Sequence, residues 1–473
     1  MIDRRVAGFD TLGDGCAPLR ENAAALRETN MAAMPGAAST PAGDESEGSV
    51  GHHYLLPCML ALFFTWGLAT VLVDIVTPKL KSLFDLSYTQ ATLTQFCFFF
   101  AYAVISLPAG VLVGRIGYMR GLVVGLLVMA CGCLLFAPAA RMGLFPIFLL
   151  ALFVMASGIA ILQVAANPLV TKLGPAAQAP SRLTLAQTFN SLGTTVGPVI
   201  GAWAILSHVP EVKDPASLSA EALAAARQAE AAVLQTPFLV IAAGLGALAI
   251  FFWIVRSWVT ESKRSSVEPE TRGLGLDLLK RPKLALGALA IFLYVGAEVS
   301  IGTLMVSYLE QPQVLGATPE HAGKLLSFYW GGALVGRVIG SIVLRYARAG
   351  LILGCCAVAA GTFATVSGLS HGTLAAVTLI AVGLANSIMF PTIFAMAIDG
   401  LGKRTAQGAG IVCVAIVGGA VVPVVTGFLA DHIGLGLALF APVACYLCIA
   451  GYAFANLRAE TAGERGGEKA LAV

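Results

Sequence analysis

Long apolar stretches separated by short polar segments follow one another along most of this chain. Many of them approach the roughly 20 apolar residues that a helix needs to cross the hydrocarbon core of a bilayer. We therefore predict an all-α membrane protein with about twelve membrane-spanning helices, at residues 55–77, 90–113, 118–138, 146–170, 185–206, 236–257, 284–309, 323–345, 349–370, 373–398, 407–430 and 434–456.

Composition supports the same class of protein. Of the 473 residues, 58% are apolar and 12% charged, whereas soluble domains are typically about 45–50% apolar and about 25% charged. The formal net charge of +3 is small and its basic residues are dispersed, which argues against a nucleic-acid partner. The expected partners are the lipid bilayer and a small solute, with no cofactor, no metal and no obligate protein partner.

The segment 1–53 is rich in Ala, Gly, Ser, Pro and Glu and lacks apolar periodicity. This composition predicts a disordered cytoplasmic extension without a signal peptide. Met31 or Met34 could equally be the start of the chain, because nothing before them is needed for folding or insertion.

Basic residues are unevenly distributed between the two sets of loops. The loops after the even-numbered spans carry 15 of them and the opposite loops carry six. The positive-inside rule therefore places both termini in the cytoplasm of a multi-pass protein of the bacterial-type inner membrane. The polar segment 258–283 is the expected cytoplasmic linker between two six-helix bundles, 54–257 and 284–457, and 458–473 is the expected cytoplasmic tail.

The two halves also look related to each other. The segment GIAILQVAANPLVTKLG at 158–174 aligns roughly with GLANSIMFPTIFAMAIDGLG at 383–402, and a Gly-rich span follows each. A repeated six-plus-six arrangement is typical of transporters that rock two bundles about a site near the middle of the membrane.

Two acidic residues lie within predicted spans. Charged groups in hydrocarbon cost a few kcal/mol on insertion scales, so they usually face a cavity or a partner. Glu298 lies near the middle of span seven, where it is either a proton-coupling group or part of a buried structural ion pair. Asp74 lies near the outer end of span one, where it either reaches the interface or binds a proton or solute.

Amide side chains cluster in three spans. Gln163 and Asn167 are four residues apart and share a helix face, as do Gln187 and Asn190, three apart; span ten adds Asn386. Amides supply donors and acceptors together, which suits a ligand made of hydroxyl groups. The alternative is that these amides only join helices to one another.

Other functional classes lack support in the sequence. A membrane-embedded enzyme would need a motif such as HExxH, a Ser/His pair or paired intramembrane aspartates, and the chain has none. A sugar sensor built on a carrier fold would need a folded cytoplasmic output domain, for which neither terminal segment has the apolar content.

Several sequence motifs indicate one particular family more specifically than the composition or any single polar residue does. The chain resembles the sugar–proton symporters of the major facilitator superfamily, in particular the fucose and glucose/galactose branch, over about residues 55–457. The resemblance rests on FFTWG at 63–67, DIVTPKL at 74–80, SYTQATLTQFCFF at 87–99, SLPAG at 106–110, QVAANP at 163–168, RLTLAQTFNSLG at 182–193, LYVGAEVSIG at 293–302 and FPTIFAMAI at 390–398.

The resemblance implies that Asp74 binds sugar or the proton and that Gln187 and Asn190 line the sugar cavity. Fucose-specific relatives have a glutamate where this chain has Gln163 and an asparagine where it has Val73. This difference favours hexoses over fucose and moves proton coupling towards Asp74 and Glu298.

A gate is expected at the turn between spans two and three. The run GVLVGRIGYMRG at 110–121 places Arg115 and Arg120 there, and GRVIGSIVLRYAR at 336–348 is its looser counterpart in the second half. The superfamily usually has an acidic residue where Gly114 stands, so this chain departs from the gate's usual salt bridge.

These observations together predict a secondary transporter, not an enzyme, that imports a monosaccharide, favouring glucose or galactose, with H⁺ as the favoured coupling ion and Na⁺ as the alternative. A carrier of fucose or another polyol-like solute, or an exporter, remains a second interpretation.

Overall fold

The structure is a computed structural model. It describes the backbone of residues 55–83, 88–142, 144–204, 220–258 and 273–471, and the side chains within 55–71, 94–139, 144–197, 238–257 and 273–458 together with Met142. Every regular element in these ranges is helical. The expected extension 1–53 and most of the linker lie outside them.

The first half contributes six long helices. Their bounds are α1 Leu55–Leu83, α2 Tyr88–Ile116, α3 Tyr118–Met142, α4 Phe145–Lys172, α5 Ala179–Ala204 and α6 Ala220–Val255.

The second half repeats this order, with its last three spans divided into shorter helices. Their bounds are α7 Pro282–Glu310, α8 Pro319–Val343, α9 Ala349–Leu369, α10 Gly372–Asn386, α11 Met389–Ile398, α12 Thr405–Val414, α13 Gly418–Ile433, α14 Leu435–Ala438 and α15 Phe440–Leu471.

The predicted fold class is confirmed. In the described ranges, ten helical segments are long and apolar enough to cross a membrane, and Leu55–Val71 is a shorter apolar one. Large apolar side chains also cover the outer surface, where Val240, Phe328 and Val424 are 66%, 66% and 69% exposed. Such an outer surface requires lipid as its solvent.

Two helices extend far beyond the predicted spans, each by about four turns. α6 begins at Ala220 rather than at 236, and α15 continues to Leu471 rather than ending at 456. Both extensions contain many Ala and Glu residues, which favour helix without being apolar enough to count as membrane span.

The predicted span 373–398 is interrupted between α10 and α11. An unbroken helix would bond the Ser387 carbonyl to the amide of residue 391, but Pro391 has no N–H to donate. The Arg337 guanidinium of α8 donates to that carbonyl instead, from Nε at 3.2 Å. A side chain from another helix therefore satisfies the backbone group that the proline leaves free.

Small residues allow α8 and α10 to approach closely enough for this contact. A Cβ on Gly336 would lie 2.7 Å from the Leu384 carbonyl oxygen, and a Cβ on Gly383 would lie 2.1 Å from the Tyr329 carbonyl oxygen. Close backbone contact between helices is how membrane bundles gain packing energy when lipid is as apolar as the helix surface.

The two halves meet at one end, which we call the basic end because the turns holding Arg115, Arg345 and Arg404 lie there. α2 and α12 cross in backbone contact: a Cβ on Gly110 would lie 2.9 Å from the Ala406 carbonyl oxygen.

A second pair of helices closes the same end. Near the start of α5, the Ser181 hydroxyl donates to the Ser341 carbonyl near the end of α8, at 2.5 Å. Contacts between α2 and α12 and between α5 and α8 therefore hold the halves together at the basic end.

The last part of the linker lies across the start of α12. The Asp277 carboxylate accepts two hydrogen bonds from the Arg404 guanidinium, at 2.5 and 2.6 Å. The Gln407 amide donates to the Gly273 carbonyl at 3.0 Å. Gly275 has φ 75°, and a side chain there would press on Gln407.

The same part of the linker also borders the first half. Gly273 and Leu274 line a groove of about 470 Å³ with Pro108, Leu112 and Arg115 of α2. The linker therefore lies between α2 and α12 at the basic end.

The Asp277→Asn substitution should loosen this part of the linker. The Arg404 guanidinium lowers the pKa of Asp277 below its ordinary value. The ion pair therefore contributes fully above about pH 3.9 and is lost as the pH falls through the lowered pKa. At pH 7 we expect amide hydrogens of 273–281 to exchange with deuterium several-fold faster in the variant.

Glu320→Gln is the matched control, because Glu320 forms an exposed ion pair with Lys324 at 2.7 Å away from the linker. It should leave exchange in 273–281 unchanged. After correction for intrinsic rates, Asp277→Asn and the parent should converge as the pH falls through the lowered pKa of Asp277. Equal exchange of the variant and the parent at pH 7 would show that the ion pair does not hold the linker.

Candidate functional site

A chain of hydrogen bonds connects the amides of α4 to α2. Asn167 Nδ2 donates to Gln163 Oε1 at 3.4 Å, and Gln163 Nε2 donates to the Tyr102 hydroxyl at 2.8 Å. Asn167 is fully buried and Gln163 is 8% exposed. Both amides are therefore buried in this conformation, and Asn167 and Tyr102 hold the two ends of the Gln163 amide.

The second half contains a matching arrangement. Asn386 at the end of α10 donates from Nδ2 to the Tyr329 hydroxyl of α8 at 3.0 Å. The fourth span of each half thus carries an amide bonded to a tyrosine of the second span. Asn167 and Asn386 are also alike in that each has a buried Oδ1 without a hydrogen-bond partner among the described residues. The sequence repeat therefore extends to side-chain chemistry.

The amides of α5 differ in what they contact. Asn190 Nδ2 donates to the Phe63 carbonyl of α1 at 3.1 Å, so its donor joins two helices of the first half. Gln187 is 7% exposed, and its backbone carbonyl accepts a hydrogen bond from Ser191 at 3.1 Å. A ligand could use the Asn190 oxygen and the Gln187 amide.

Glu298 lies near the middle of α7, about 18 Å from the nearer end of the helix at 1.5 Å per residue. Its Oε1 accepts a hydrogen bond from the Tyr294 hydroxyl at 2.7 Å. Tyr329 contacts the Glu298 backbone carbonyl at 3.4 Å. Glu298 and Asn386, predicted separately from sequence, are therefore brought together around Tyr329.

Arg337 is a polar residue of this cluster that the sequence reasoning missed. It lies six residues before the end of α8. Its positive charge interacts with Glu298, and its Nη1 donates to the Ser191 hydroxyl. The signal was present, because an arginine inside a predicted span is a functional candidate by default. Arg345 and Arg348, from the same sequence pattern, do lie at the turn.

The remaining predicted residues lie elsewhere. Arg115 and Arg120 are exposed at the basic end, and no described carboxylate lies within ion-pairing distance of either guanidinium. The backbone of Asp74 lies in α1, and its side chain is outside the described part of the structure. The gating role of the two arginines and the binding role of Asp74 stay predictions.

The cluster around Glu298 has the chemistry of a proton and hydroxyl site. It combines one carboxylate, one guanidinium, two phenols and an amide, which can exchange a proton and both donate and accept hydrogen bonds. In the described part of the chain, no group of His, Cys, Asp and Glu side chains is arranged to hold a metal ion.

A family model described as Major Facilitator Superfamily matches residues 55–414. The chain belongs to the major facilitator superfamily. The matched region covers the first half and continues to the end of α12, so it includes every residue of the cluster.

Relatives within the superfamily are substantially similar to this chain. A protein of Brucella abortus (strain 9-941) named glucose/galactose transporter is 46% identical over 77% of this chain and 84% of its own length. The L-fucose-proton symporter of Escherichia coli (strain K12) is 32% identical over 76% of this chain and 83% of its own length.

A solved structure has the same fold. The crystal structure of the superfamily transporter FucP in the outward conformation superposes with a TM-score of 0.78 at 31% identity, covering 85% of this chain and 98% of FucP. The resemblance to the fucose and glucose/galactose branch is thus confirmed. So is the prediction of a transporter fold rather than an enzyme.

The backbone contact at Gly110 predicts that a larger side chain at this position will open the basic end of this superfamily member. A Gly110→Val substitution would press on the Ala406 carbonyl, and overpacking typically costs about 1–3 kcal/mol. We expect the population with a closed basic end to fall by about 5- to 150-fold relative to the open one. Distances between spin labels at positions 120 and 345, measured by pulsed electron resonance, should lengthen.

Gly244→Val provides the control, since nothing lies within 4 Å of a Cβ built at Gly244 on the outer face of α6. It should leave the distance distribution as in the parent. An unchanged distribution in Gly110→Val would mean that the α2–α12 contact does not determine closure.

Proposed function

We propose that this protein is a secondary active transporter that imports a monosaccharide, glucose or galactose, together with a proton. The observation that carries this proposal is Glu298, a carboxylate held by Tyr294 in the middle of a membrane helix and close to the positive charge of Arg337. A carboxylate at this depth costs several kcal/mol. Such a group is therefore expected to exchange a proton, to pair with a cation or to bind a ligand.

The substrate class follows from the amides. Gln163 and Asn386, one in each half, bond tyrosine hydroxyls, and Gln187 of α5 is buried. Such groups match the alternating donors and acceptors of sugar hydroxyls better than a bare ion or a lipid chain. The name of the Brucella abortus relative supports a hexose, and Gln163 stands where fucose carriers are expected to have a glutamate.

The direction of opening follows from the basic end. The positive-inside rule makes that end cytoplasmic, with both termini on the same side of a bacterial inner membrane. The halves are joined there, which supports an outward-facing conformation like that of the FucP crystal structure. Transport would proceed by rocking of the first six spans against the last six.

A carrier of L-fucose is the second candidate. It is favoured by the 32% identity to the Escherichia coli symporter, and the tyrosine–amide pairs would serve a deoxy sugar as well. The residues that distinguish the two candidates in sequence are Val73, Gln163 and Glu298.

A transport assay with the purified protein in lipid vesicles tests the function. An inward proton gradient should drive labelled glucose or galactose to an internal concentration above the external one, and fucose should accumulate less. Because transport and proton entry are linked, collapsing the gradient with a protonophore should abolish accumulation. Fucose-selective accumulation would support the second candidate. A chain that transports none of the three sugars would contradict both candidates.

The Glu298→Gln substitution tests the coupling site. A permanently neutral side chain can no longer release a proton, so accumulation should fall to the level of passive equilibration while exchange of internal for external sugar continues. Glu310→Gln at the end of the same helix is the control and should accumulate sugar normally. Normal accumulation in Glu298→Gln would show that the coupling proton is carried elsewhere.

A further inference from the structure

The groove at the basic end has apolar walls and one charged rim. It lies between α2 and the last part of the linker, and its volume of about 470 Å³ is within the range of about 300–1,000 Å³ that small-molecule sites occupy. The groove is lined by Pro108, Val111, Leu112, Arg115, Gly273 and Leu274. The proposed sugar and proton sites use none of these residues, so the groove has no role in them.

One wall of the groove is a single face of α2. This face has the i, i+3, i+4, i+7 spacing of Pro108, Val111, Leu112 and Arg115. Arg115 is the next-to-last residue of α2, so at 1.5 Å per residue the face extends about 10 Å from the charged end into the span. The headgroup region of each leaflet is about 5–8 Å thick. The groove therefore changes from charged to apolar over the depth at which a phospholipid changes from headgroup to acyl chain.

The rim of the groove carries a cation that has no anionic partner among the described side chains. Arg115 is exposed, and no described carboxylate lies within 4 Å of its guanidinium. A guanidinium binds phosphate through two parallel hydrogen bonds. The cytoplasmic leaflet contains the anionic lipids that attract basic residues near its surface. The charge at this rim therefore fits a lipid phosphate.

The linker wall of the groove presents leucines rather than polar side chains. Leu274 at the groove is 46% exposed. Leu276 and Leu279 are three residues apart in the 3₁₀ helix Leu276–Lys280, so they share one face. They are 52% and 44% exposed, whereas Leu278 is buried in the protein. Because apolar surface is unfavourable in water and stable against acyl chains, these leucines favour a lipid as the occupant.

We propose that this groove binds one anionic phospholipid of the cytoplasmic leaflet. Its phosphate accepts hydrogen bonds from the Arg115 guanidinium, and part of one acyl chain lies along Leu112 of α2 and Leu274 of the linker. The inference adds a lipid ligand to the transporter and goes beyond the proposed sugar and proton transport.

The bound lipid acts on the contact between the two halves. The linker wall is fastened to α12 of the second half through the Asp277–Arg404 ion pair and the Gln407 amide. The other wall is α2 of the first half. A lipid that contacts both walls gains those contacts only while the basic end is closed. It therefore stabilises the closed conformation relative to the open one.

Native mass spectrometry of the purified full-length protein in detergent measures this binding directly. The probes are phosphatidylglycerol and phosphatidylcholine with identical acyl chains. The parent should bind one phosphatidylglycerol about fivefold or more tightly than phosphatidylcholine, the factor that one cation near an anionic lipid contributes. Inorganic phosphate in large excess should not displace the lipid, because the acyl chain also contacts the groove.

Three variants test the site. Arg115→Gln should bind the two lipids equally, because its side chain no longer carries the charge that pairs with phosphate. Leu274→Glu places a negative charge on the apolar wall and should lose the preference by a similar factor. Arg345→Gln is the matched control, since Arg345 is an exposed arginine at the equivalent turn of the second half and lies outside the groove. It should keep the preference of the parent.

Hydrogen exchange in vesicles tests the location and the effect. When phosphatidylglycerol is added to phosphatidylcholine vesicles, amides of 273–276 in the parent should exchange several-fold more slowly, because the lipid holds the linker against α2. In Arg115→Gln the added lipid should make no difference. The connection 311–318, at the other end of the bundle, should exchange equally in both membranes in every variant.

Each outcome supports or overturns the inference. A preference lost in Arg115→Gln and Leu274→Glu but kept in Arg345→Gln, with slowed exchange at 273–276, supports it. Equal binding of both lipids by the parent, or an unchanged preference in Arg115→Gln, would overturn it. Equal loss in Arg115→Gln and Arg345→Gln would replace it with diffuse surface charge, and full displacement by inorganic phosphate would replace it with a site for a free anion. None of these measurements uses a sugar, so the proposed function can fail without affecting this inference.

Discussion

The constraint on which the rest of the structure depends is that lipid offers no hydrogen bonds. Every backbone group within the bilayer must be satisfied by the chain itself, which restricts the spans to helices. The same constraint governs the places where a helix is interrupted. Pro391 leaves the Ser387 carbonyl free, and the cluster gains a guanidinium because Arg337 satisfies that carbonyl. A polar residue is tolerated inside the membrane here because the backbone needs it.

Packing between helices meets a second requirement, that two halves must hold together at one end and still be able to separate. Apolar side chains in lipid gain little from meeting one another, so closure relies on backbone contact at small residues such as Gly110 of α2 and Gly410 of α12. Contacts of this kind are sensitive to fractions of an ångström. They can be lost over a whole interface when one pair of helices tilts, which suits a structure with two stable positions.

The cluster shows how the two halves share one site although each repeats the other. Both carry an amide that bonds a tyrosine, Gln163 with Tyr102 and Asn386 with Tyr329. Among the described side chains, a carboxylate and a guanidinium lie beside the pair of the second half. The repeat therefore supplies an amide–tyrosine pair in each half, and the second half adds Glu298 and Arg337 beside its own pair.

The sequence by itself determined the class of protein, the approximate spans and the identity of several polar residues within them. These are local properties, since about 20 consecutive apolar residues define a span whatever surrounds it. The family could also be identified from the sequence, because each motif is a contiguous run of residues.

Only the tertiary structure decided which polar groups meet. Glu298 reaches Asn386 through Tyr329, and Arg337 bonds Ser191, 146 residues away along the chain. Helix periodicity gives the face on which a side chain lies but not the rotation or neighbour of each helix. Those depend on glycine contacts between distant segments and on the carbonyl that Pro391 leaves free. The sequence shows that Arg337 lies within a span, but its contacts with Ser191 and Ser387 form only where four helices meet.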